Sequence, residues 1–182
     1  MDSDLVKTSK FLSFVLRHHP ESIGLPLDSA GWADVDDLIR LANASGRRLD
    51  RELVFLVVET SDKQRFALDE ARTRIRANQG HSIEVDLGLS PRTPPPVLFH
   101  GTALRFLESI RSSGLVPGTR THVHLSQDRS TARAVGARHG KPVVLSIDAA
   151  AMHAFGSEFR LAHNGVWLVA QVSVRFITFP RP

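Results

Sequence analysis

A proline-rich segment near the middle of the chain constrains its fold more than any other feature. Residues 88–96 read GLSPRTPPP and contain four of the ten prolines in the 182-residue sequence. Proline fixes φ and has no amide hydrogen to donate, so this stretch favours an extended linker. We therefore predict two domains, residues 1–90 and 97–182, joined by a linker over residues 91–96. The chain length fits one domain or two small ones.

Charge is distributed unevenly between the two halves. Arginine supplies 19 of the 23 basic residues, and the whole chain carries a net charge of +4. Residues 1–90 contain 12 basic and 15 acidic side chains, whereas residues 91–182 contain 11 and 4. Arginine binds phosphate through paired hydrogen bonds. The second half is therefore predicted to bind an anion.

Several classes of protein are excluded by composition. The chain has no cysteine, which excludes disulfides, thiolate metal sites and a cysteine nucleophile. No apolar run approaches the roughly 18 residues of a membrane span, and the first residues lack the apolar stretch of a signal peptide. We expect a monomeric cytoplasmic protein that does not contact membranes.

The first domain has the pattern of three helices followed by two short strands. Leu5, Leu12, Val15 and Leu16 share one helical face that ends before Pro20. Two further helices are predicted, each with an aspartate cap. Their caps and inward-facing residues are Asp34 with Val35, Leu38, Ile39 and Ala42, and Asp50 with Leu53, Leu56 and Val57. Strands over residues 65–68 and 73–77 complete the outline of a winged helix, a fold that often binds nucleic acid.

The second domain is richer in strands. Five β-rich stretches are predicted, over residues 97–99, 122–125, 143–147, 166–170 and 172–179. Helices are predicted over residues 103–112 and 130–138, and the residues 159–163 are also read as helical. The expected fold class is therefore α+β overall, with a mixed α/β second domain.

Three polar clusters stand out in the first domain. Arg17 and His18 occupy the last turn of a helix, where the helix dipole favours cations whether or not a phosphate binds there. Lys63 and Arg65 lie at the beginning of the first strand of the hairpin. An outward arginine there is either solvated or bound to a nucleic-acid phosphate. The third cluster is the polar loop that ends at residue 82.

In the second domain, histidine recurs next to predicted strands. His100-Gly101-Thr102 follows an apolar strand and precedes a helix, so glycine there would let a ligand approach and the helix N-terminus would favour an anion. His122 and His124 share one strand face, a spacing that zinc can use. With only four carboxylates in this half, an anion is favoured over a metal.

Seven motifs, in order along residues 9–174, resemble the tRNA 2′-phosphotransferase family. They are SKFLSFVLRHHPESIGLPLDSAGW, KQRFAL, IRANQGHSIEVDL, LFHGT, HVHLS, VGARHGKPVVLSID and NGVWL. The resemblance implies an N-terminal winged-helix lobe that binds RNA and a C-terminal ADP-ribosyltransferase-like lobe that binds NAD+. It also implies transfer of an internal RNA 2′-phosphate to NAD+ through an RNA-2′-phospho-ADP-ribose intermediate. The products would be 2′-hydroxyl RNA, nicotinamide and ADP-ribose 1″,2″-cyclic phosphate.

The resemblance also assigns residues to roles. The essential arginine–histidine–arginine–arginine set corresponds to Arg17, His18, Arg65 and Arg120, and Arg133 and Arg138 compete with Arg120 for the last position. The implied NAD+-binding residues are His100, Gly101, Thr102, Ser126, Asn164 and Gly165. The implied RNA-binding residues are Lys63, Gln79 and His81, and no metal is expected. Phe99 stands where members often have tyrosine, so a tyrosine hydroxyl contact to nicotinamide is excluded.

These residue types suit the chemistry. A phosphate dianion that attacks the nicotinamide-bearing ribose carbon needs neutralisation and alignment, which arginine supplies without losing a proton. A carboxylate would repel that nucleophile, and Glu108 and Glu158 are the only glutamates after residue 90. One alternative is an ADP-ribosyltransferase that caps terminal phosphates of DNA or RNA and stops after the first step. Another is a winged-helix nucleic-acid binder without catalysis.

Overall fold

The computed structural model describes residues 3–61 and 63–180. These residues form two compact units, one ending at Gly88 and the other beginning at Leu89. Six α-helices and several small antiparallel sheets make up the described residues, a mixed α/β architecture. Each unit has its own apolar core. None of the helices in these residues combines the length and the apolar character that crossing a bilayer requires.

Three helices form most of the first unit: α1 (Ser3–Arg17), α2 (Val35–Ala44) and α3 (Arg51–Glu59). The two predicted caps are confirmed. The Asp34 carboxylate accepts a hydrogen bond from the Asp37 amide at 2.9 Å. The Asp50 carboxylate accepts one from the Leu53 amide at 2.8 Å. Each cap satisfies an amide that the first turn of a helix otherwise leaves unpaired.

A three-stranded antiparallel sheet packs against these helices. Its strands are β1 (Ala33–Asp34), β2 (Phe66–Leu68) and β3 (Arg74–Ala77), in the order β1-β3-β2. The core between sheet and helices contains Leu12, Leu16, Leu38 and Ile75, all fully buried. Leu56 was predicted to face inward, but it is 45% exposed, and Val54 is buried instead.

The turn from β2 to β3 is organised by one carboxylate. Asp69 accepts hydrogen bonds from the amides of Thr73 and Arg74 at 2.8 and 2.9 Å. The hydrogen bond from the Arg74 amide is the largest of the interactions that lower the pKa of Asp69 to about 2. Arg72, in the same turn, pairs with Glu59 of α3 and lies over the ring of Phe55.

The second unit contains two three-stranded antiparallel sheets. The first has the order β4-β6-β9 and the second the order β5-β8-β7. The strands are β4 (Val97–Ala103), β5 (Val123–Leu125), β6 (Pro142–Asp148), β7 (Arg160–Leu161), β8 (Trp167–Val169) and β9 (Ile177–Thr178). The helices are α4 (Leu107–Ser113), α5 (Arg129–Gly136) and α6 (Ala149–Ala154).

One described residue pair bridges the backbones of the two sheets. Phe99 of β4 and Ser126, just after β5, exchange backbone hydrogen bonds of 2.9 and 2.8 Å. We call this pair the seam. Leu98, Leu125, Phe159 and Trp167 pack in the core of this unit, and the Phe159 and Trp167 rings meet edge-on at 6.5 Å. Trp167 is buried in this core.

Several predicted elements of the second unit differ from those observed. β4 extends to Ala103, so the predicted helix over residues 103–112 begins its α-helical part only at Leu107. The predicted helix over residues 159–163 instead contains β7, and the predicted strand over residues 172–179 is reduced to β9 after a 3-10 turn. β4 is extended by its pairing with the distant β6, whereas β7 forms by pairing with the nearby β8. Helix α6 was not predicted.

Part of the proline-rich segment is bonded into the second unit. The Arg92 amide donates to the Phe159 carbonyl at 2.7 Å, and Pro91 pairs with Arg160. The guanidinium of Arg160 donates to the carbonyl of Leu89 at 3.1 Å. These contacts attach residues 89–92 to β7.

Candidate functional site

In the first unit, the C-terminal end of α1 is held by a loop more than 60 residues away. The Ser82 amide donates to the Arg17 carbonyl at 3.0 Å. Nδ1 of His18 lies 2.9 Å from the Ser82 hydroxyl, which also donates weakly to the Arg17 carbonyl at 3.5 Å. A hydroxyl that donates elsewhere accepts from Nδ1–H, so Ser82 orients the His18 ring through Nδ1.

Arg17 is joined to the strand that carries Arg65. Its Nη2 donates to the Arg65 carbonyl at 3.2 Å, and its guanidinium lies 5.8 Å from the centre of the Phe66 ring. Both residues are partly buried. Two arginines and His18 are therefore brought together by the end of α1 and the start of β2.

The backbone at Arg65 is fixed by a buried asparagine. The Asn78 amide donates to the Arg65 carbonyl at 2.9 Å. The Asn78 side-chain nitrogen donates to the carbonyls of Gln64 and Phe66 at 2.6 and 3.3 Å. The Arg65 guanidinium makes no hydrogen bond or ion pair with any other described residue. Its position is set by the backbone while its charge stays available to a ligand.

A groove of about 490 Å³ adjoins this cluster, between α1, α3 and the residues that lead into β2. His18, Lys63 and Arg65 line one part of it. Three of the predicted site residues of the first unit therefore lie on one concave surface.

His81, a predicted RNA contact, lies inside the first unit. It is 1% exposed, and its Nε2 has no hydrogen-bond partner among the described residues. Burial, together with the charges of Arg17, His18 and Arg76, lowers the pKa of His81 to about 4. The ring is therefore neutral at pH 7 and supports the cluster from behind. Gln79, also a predicted RNA contact, is half-buried.

In the second unit, three polar residues are linked by two hydrogen bonds beside the seam, one of them through a backbone carbonyl. Nδ1 of His100 lies 3.0 Å from the carbonyl of His124, and Nδ1 of His124 lies 2.6 Å from a guanidinium nitrogen of Arg120. β4 supplies His100, β5 supplies His124, and the turn before β5 supplies Arg120. Arg133 and Arg138 are exposed residues on and after α5 and make no such contact.

The bonding fixes the proton positions. A carbonyl only accepts, so Nδ1 of His100 carries the proton, and a guanidinium only donates, so Nδ1 of His124 accepts. Burial lowers the pKa of His100, against the opposing effect of the hydrogen bond to the His124 carbonyl, and the charge of Arg120 lowers it further. Neutral His100 therefore presents Nε2 as a hydrogen-bond acceptor.

Gly101 and Thr102 lie within strand β4. This corrects the prediction that they stand between a strand and a helix. A Cβ on Gly101 would lie 1.6 Å from the carbonyl oxygen of Ala132 in α5. A Cβ on Gly136 would lie 2.4 Å from the Thr102 carbonyl oxygen. The glycine at 101 is therefore required by the contact between β4 and α5, and both Gly101 and Thr102 are buried.

Ser126 and the Asn164–Gly165 turn lie at the same end of one sheet. Leu125 pairs with Trp167 in antiparallel register, so the residues after Leu125 run alongside those before Trp167. Gly165 adopts a φ of +77°, which closes the turn from β7 to β8. Ser126 also pairs with Phe99 in the seam, so this end of the sheet lies close to the neighbouring His100.

Three supporting residues were missed from sequence. Ser82 and Asn78 orient His18 and Arg65, and His124, considered only as a zinc ligand, connects Arg120 with His100. A polar residue just after a strand is a usable signal for Asn78. No metal-binding cluster of three histidine or acidic side chains occurs within residues 3–61 and 63–180.

Comparison with known proteins identifies a family. The family model described as "RNA 2'-phosphotransferase, Tpt1 / KptA family" matches residues 3–171. A protein of Agrobacterium fabrum named "Probable RNA 2'-phosphotransferase" is 63% identical over 171 residues, which are 94% of this chain and 92% of that protein. A protein of the same name from Escherichia coli O6:K15:H31 is 54% identical over 177 residues, 97% of this chain and 96% of its own.

Proposed function

Because this chain belongs to the RNA 2'-phosphotransferase, Tpt1 / KptA family, we propose that it removes an internal RNA 2′-phosphate by transferring it to NAD+. Family membership makes it a transferase that acts on RNA. NAD+ serves as a second substrate, which the reaction consumes. The observation that carries the proposal is the contact from the Arg17 guanidinium to the Arg65 carbonyl, which joins the end of α1, with His18, to the residue that carries the second arginine side chain.

The two units fit the lobes that the family resemblance implies. The first has three helices and a small antiparallel sheet, as a winged helix does. The second has two small sheets with helices, which is consistent with an ADP-ribosyltransferase-like lobe. We assign RNA binding to the first unit and NAD+ binding to the second, in a monomeric cytoplasmic enzyme.

In the first step, an oxygen of the RNA 2′-phosphate attacks the nicotinamide-bearing ribose carbon of NAD+. The bond from that carbon to the pyridinium nitrogen breaks, and its electron pair leaves with neutral nicotinamide. No proton is needed for this departure. Arg17, His18 and Arg65 are the phosphate-binding residues that we propose for the first unit, where they neutralise and align the dianion. Arg120 is the catalytic arginine that we propose for the second unit.

In the second step, the ribose 2″-hydroxyl attacks the phosphorus and the RNA 2′-oxygen leaves. The hydroxyl loses its proton, and the leaving oxygen gains one. Charge increases on the phosphoryl oxygens, and guanidinium groups stabilise it. His18, oriented through Nδ1 by Ser82, is the side chain that we propose to donate a hydrogen bond or proton to the phosphate.

The hydrogen-bonding state of His100 fits a ribose. Its neutral ring directs Nδ1–H to the His124 carbonyl, so Nε2 accepts a hydrogen bond from a hydroxyl group. Ser126 and Asn164 add polar groups at the neighbouring sheet end. Gly101 and Thr102 contribute through the backbone of β4, since both are buried. Lys63 and Gln79 remain the proposed RNA contacts, and His81 supports the cluster.

Incubation of the protein with RNA that carries one internal 2′-phosphate, with and without NAD+, tests the proposal. One nicotinamide should be released for each phosphate removed, together with ADP-ribose 1″,2″-cyclic phosphate. Phosphate removal that proceeds equally well without NAD+ would refute it. ADP-ribosylated RNA as the final product would instead indicate a capping enzyme that stops after the first step.

A further inference from the structure

The groove in the first unit extends well past the proposed phosphate-binding residues. Its lining includes a long face of α1 and the end of α3 in addition to His18, Lys63 and Arg65. The other lining residues are Leu5, Val6, Ser9, Lys10, Ser13, Phe14, Val57, Thr60 and Ser61. Lys10 and His18 are eight residues apart on α1, which corresponds to roughly 12 Å along a helix axis.

The charge of the groove contrasts with that of its unit. Residues 1–90 contain more acidic than basic side chains, yet Lys10, Lys63, Arg65 and His18 line the groove and no described acidic residue does. Asp4 of α1 and Glu59 of α3 form ion pairs with Lys7 and Arg72. Lys10 makes no hydrogen bond or ion pair with another described residue. Lysine and arginine side chains therefore line this groove without a carboxylate among the described lining residues.

The floor of the groove is apolar and partly open. Val6 is 36% and Phe14 44% exposed, on the same face of α1 as Lys10. One face of the Phe14 ring packs against the ring of His19, with centroids 4.8 Å apart. Cations beside an apolar, aromatic floor suit a single strand of nucleic acid, whose phosphates and bases need different partners.

We propose that this groove binds the RNA strand that flanks the reacting nucleotide, with Lys10 contacting a phosphate away from the 2′-phosphate. The proposal rests on the proposed function, because His18 and Arg65 connect the groove to the reacting phosphate. Phe14 and Val6 receive a base or ribose, and Ser9 and Ser13 supply hydroxyls along the path. The groove thus makes the enzyme sensitive to RNA length.

Substrates of two lengths test this: a 2′-phosphorylated dinucleotide and a longer single-stranded oligonucleotide with the same internal 2′-phosphate. Lys10→Ala should raise the Kd and KM for the oligonucleotide about fivefold and leave kcat unchanged, because one phosphate contact is lost. The values for the dinucleotide should not change. The dependence of log Kd on log salt should fall by about 0.7, the contribution of one single-strand phosphate contact. Lys10→Arg should restore the wild-type values.

Lys7→Ala is the matched control. Lys7 lies on the same helix, but it pairs with Asp4 at 3.3 Å and does not line the groove. The groove assignment is overturned if Lys10→Ala behaves like Lys7→Ala on the oligonucleotide, as a peptide-binding groove would, or if it weakens the dinucleotide equally. Kd is measured without NAD+, so a failure of NAD+ dependence in the wild-type protein is seen separately.

Discussion

The Ser82 hydroxyl lies 2.9 Å from Nδ1 of His18, although 64 residues separate the two in sequence. We expect Ser82→Ala to lower kcat about 10-fold, as loss of a residue that orients another typically does. The pH profile of kcat should shift, because the His18 ring loses the partner of one nitrogen. Ser82→Thr, which keeps the hydroxyl, should restore activity. Unchanged kcat and pH profile in Ser82→Ala would show that the contact has no catalytic role.

Arg65 and Arg72 provide a matched pair of arginines. Arg65→Ala should lower activity roughly 30- to 1000-fold, the loss of about 2–4 kcal/mol of transition-state stabilisation. Its Tm should stay close to wild type, because the guanidinium has no partner among the described residues. Arg72→Ala should show the reverse: near wild-type activity, and a stability loss of up to about 1 kcal/mol from the exposed pair with Glu59.

A time course that resolves substrate, intermediate and product RNA separates the two steps. Arg65→Ala and His18→Ala should accumulate RNA-2′-phospho-ADP-ribose, because the second step builds more charge on phosphorus. Arg120→Ala should slow both steps. Fully active Arg65→Ala and His18→Ala, or an Arg72→Ala variant as defective as they are, would contradict the assignment of the phosphate site.

Gly101→Ala should unfold or strongly destabilise the second unit. Its methyl group would lie 1.6 Å from a backbone oxygen of α5, which cannot rotate away as a side chain would. We expect a loss of about 3 kcal/mol or more, measured by denaturant unfolding. Gly156→Ala is the control: nothing lies within 4 Å of its added Cβ, so the only cost is that of alanine at a φ of +89°, about 1–2 kcal/mol. Equal stabilities would mean that β4 and α5 are not in close contact.

His81 should make stability depend on pH. Its folded-state pKa of about 4 lies below the ordinary value of 6.5, so the fold favours the neutral ring. This contribution is complete above pH 6.5 and is lost as pH falls toward 4. By linkage, the free energy of unfolding should drop by about 2 kcal/mol between pH 7 and pH 4.5. His81→Gln, which does not titrate, should show a smaller drop, and an equal drop would assign the effect to other groups.

Activity should not require a divalent metal. Arginines supply the cations that a metal would otherwise provide, and the residues after 90 include only four carboxylates. Reaction rates with EDTA present should match those without it. A rate that collapses in chelator and returns on addition of magnesium or zinc would disprove this.

Local signals predicted much of the first unit. Asp34 and Asp50 were identified as caps because a short polar side chain before an apolar periodic stretch satisfies helix amides within three residues. The wrong orientation of Leu56 has a simple cause. Residues 53–58 read LVFLVV, so α3 offers no polar–apolar contrast from which to choose a face.

The candidate site was predictable in its residue types but not in its supports. Gly101 was predicted to lie between a strand and a helix, where it would let a ligand approach, whereas full pairing of β4 with β6 and the approach of α5 decide its surroundings. The contact of Ser82 with His18 joins residues far apart in sequence, and no local pattern encodes it. Arg120 was preferred over Arg133 and Arg138 because of its spacing to the HVHLS motif. In the structure its guanidinium is hydrogen-bonded to His124 of that motif.

The seam at Phe99 and Ser126 brings residues of two different sheets side by side. His100 is carried by one sheet, while Ser126, His124 and Arg120 are carried by the other. Leu98 of the first sheet and Leu125 of the second belong to one shared apolar core, so the seam and that core together hold His100 near Ser126. The hydrogen bond from His100 to the His124 carbonyl adds a second link between the same two sheets.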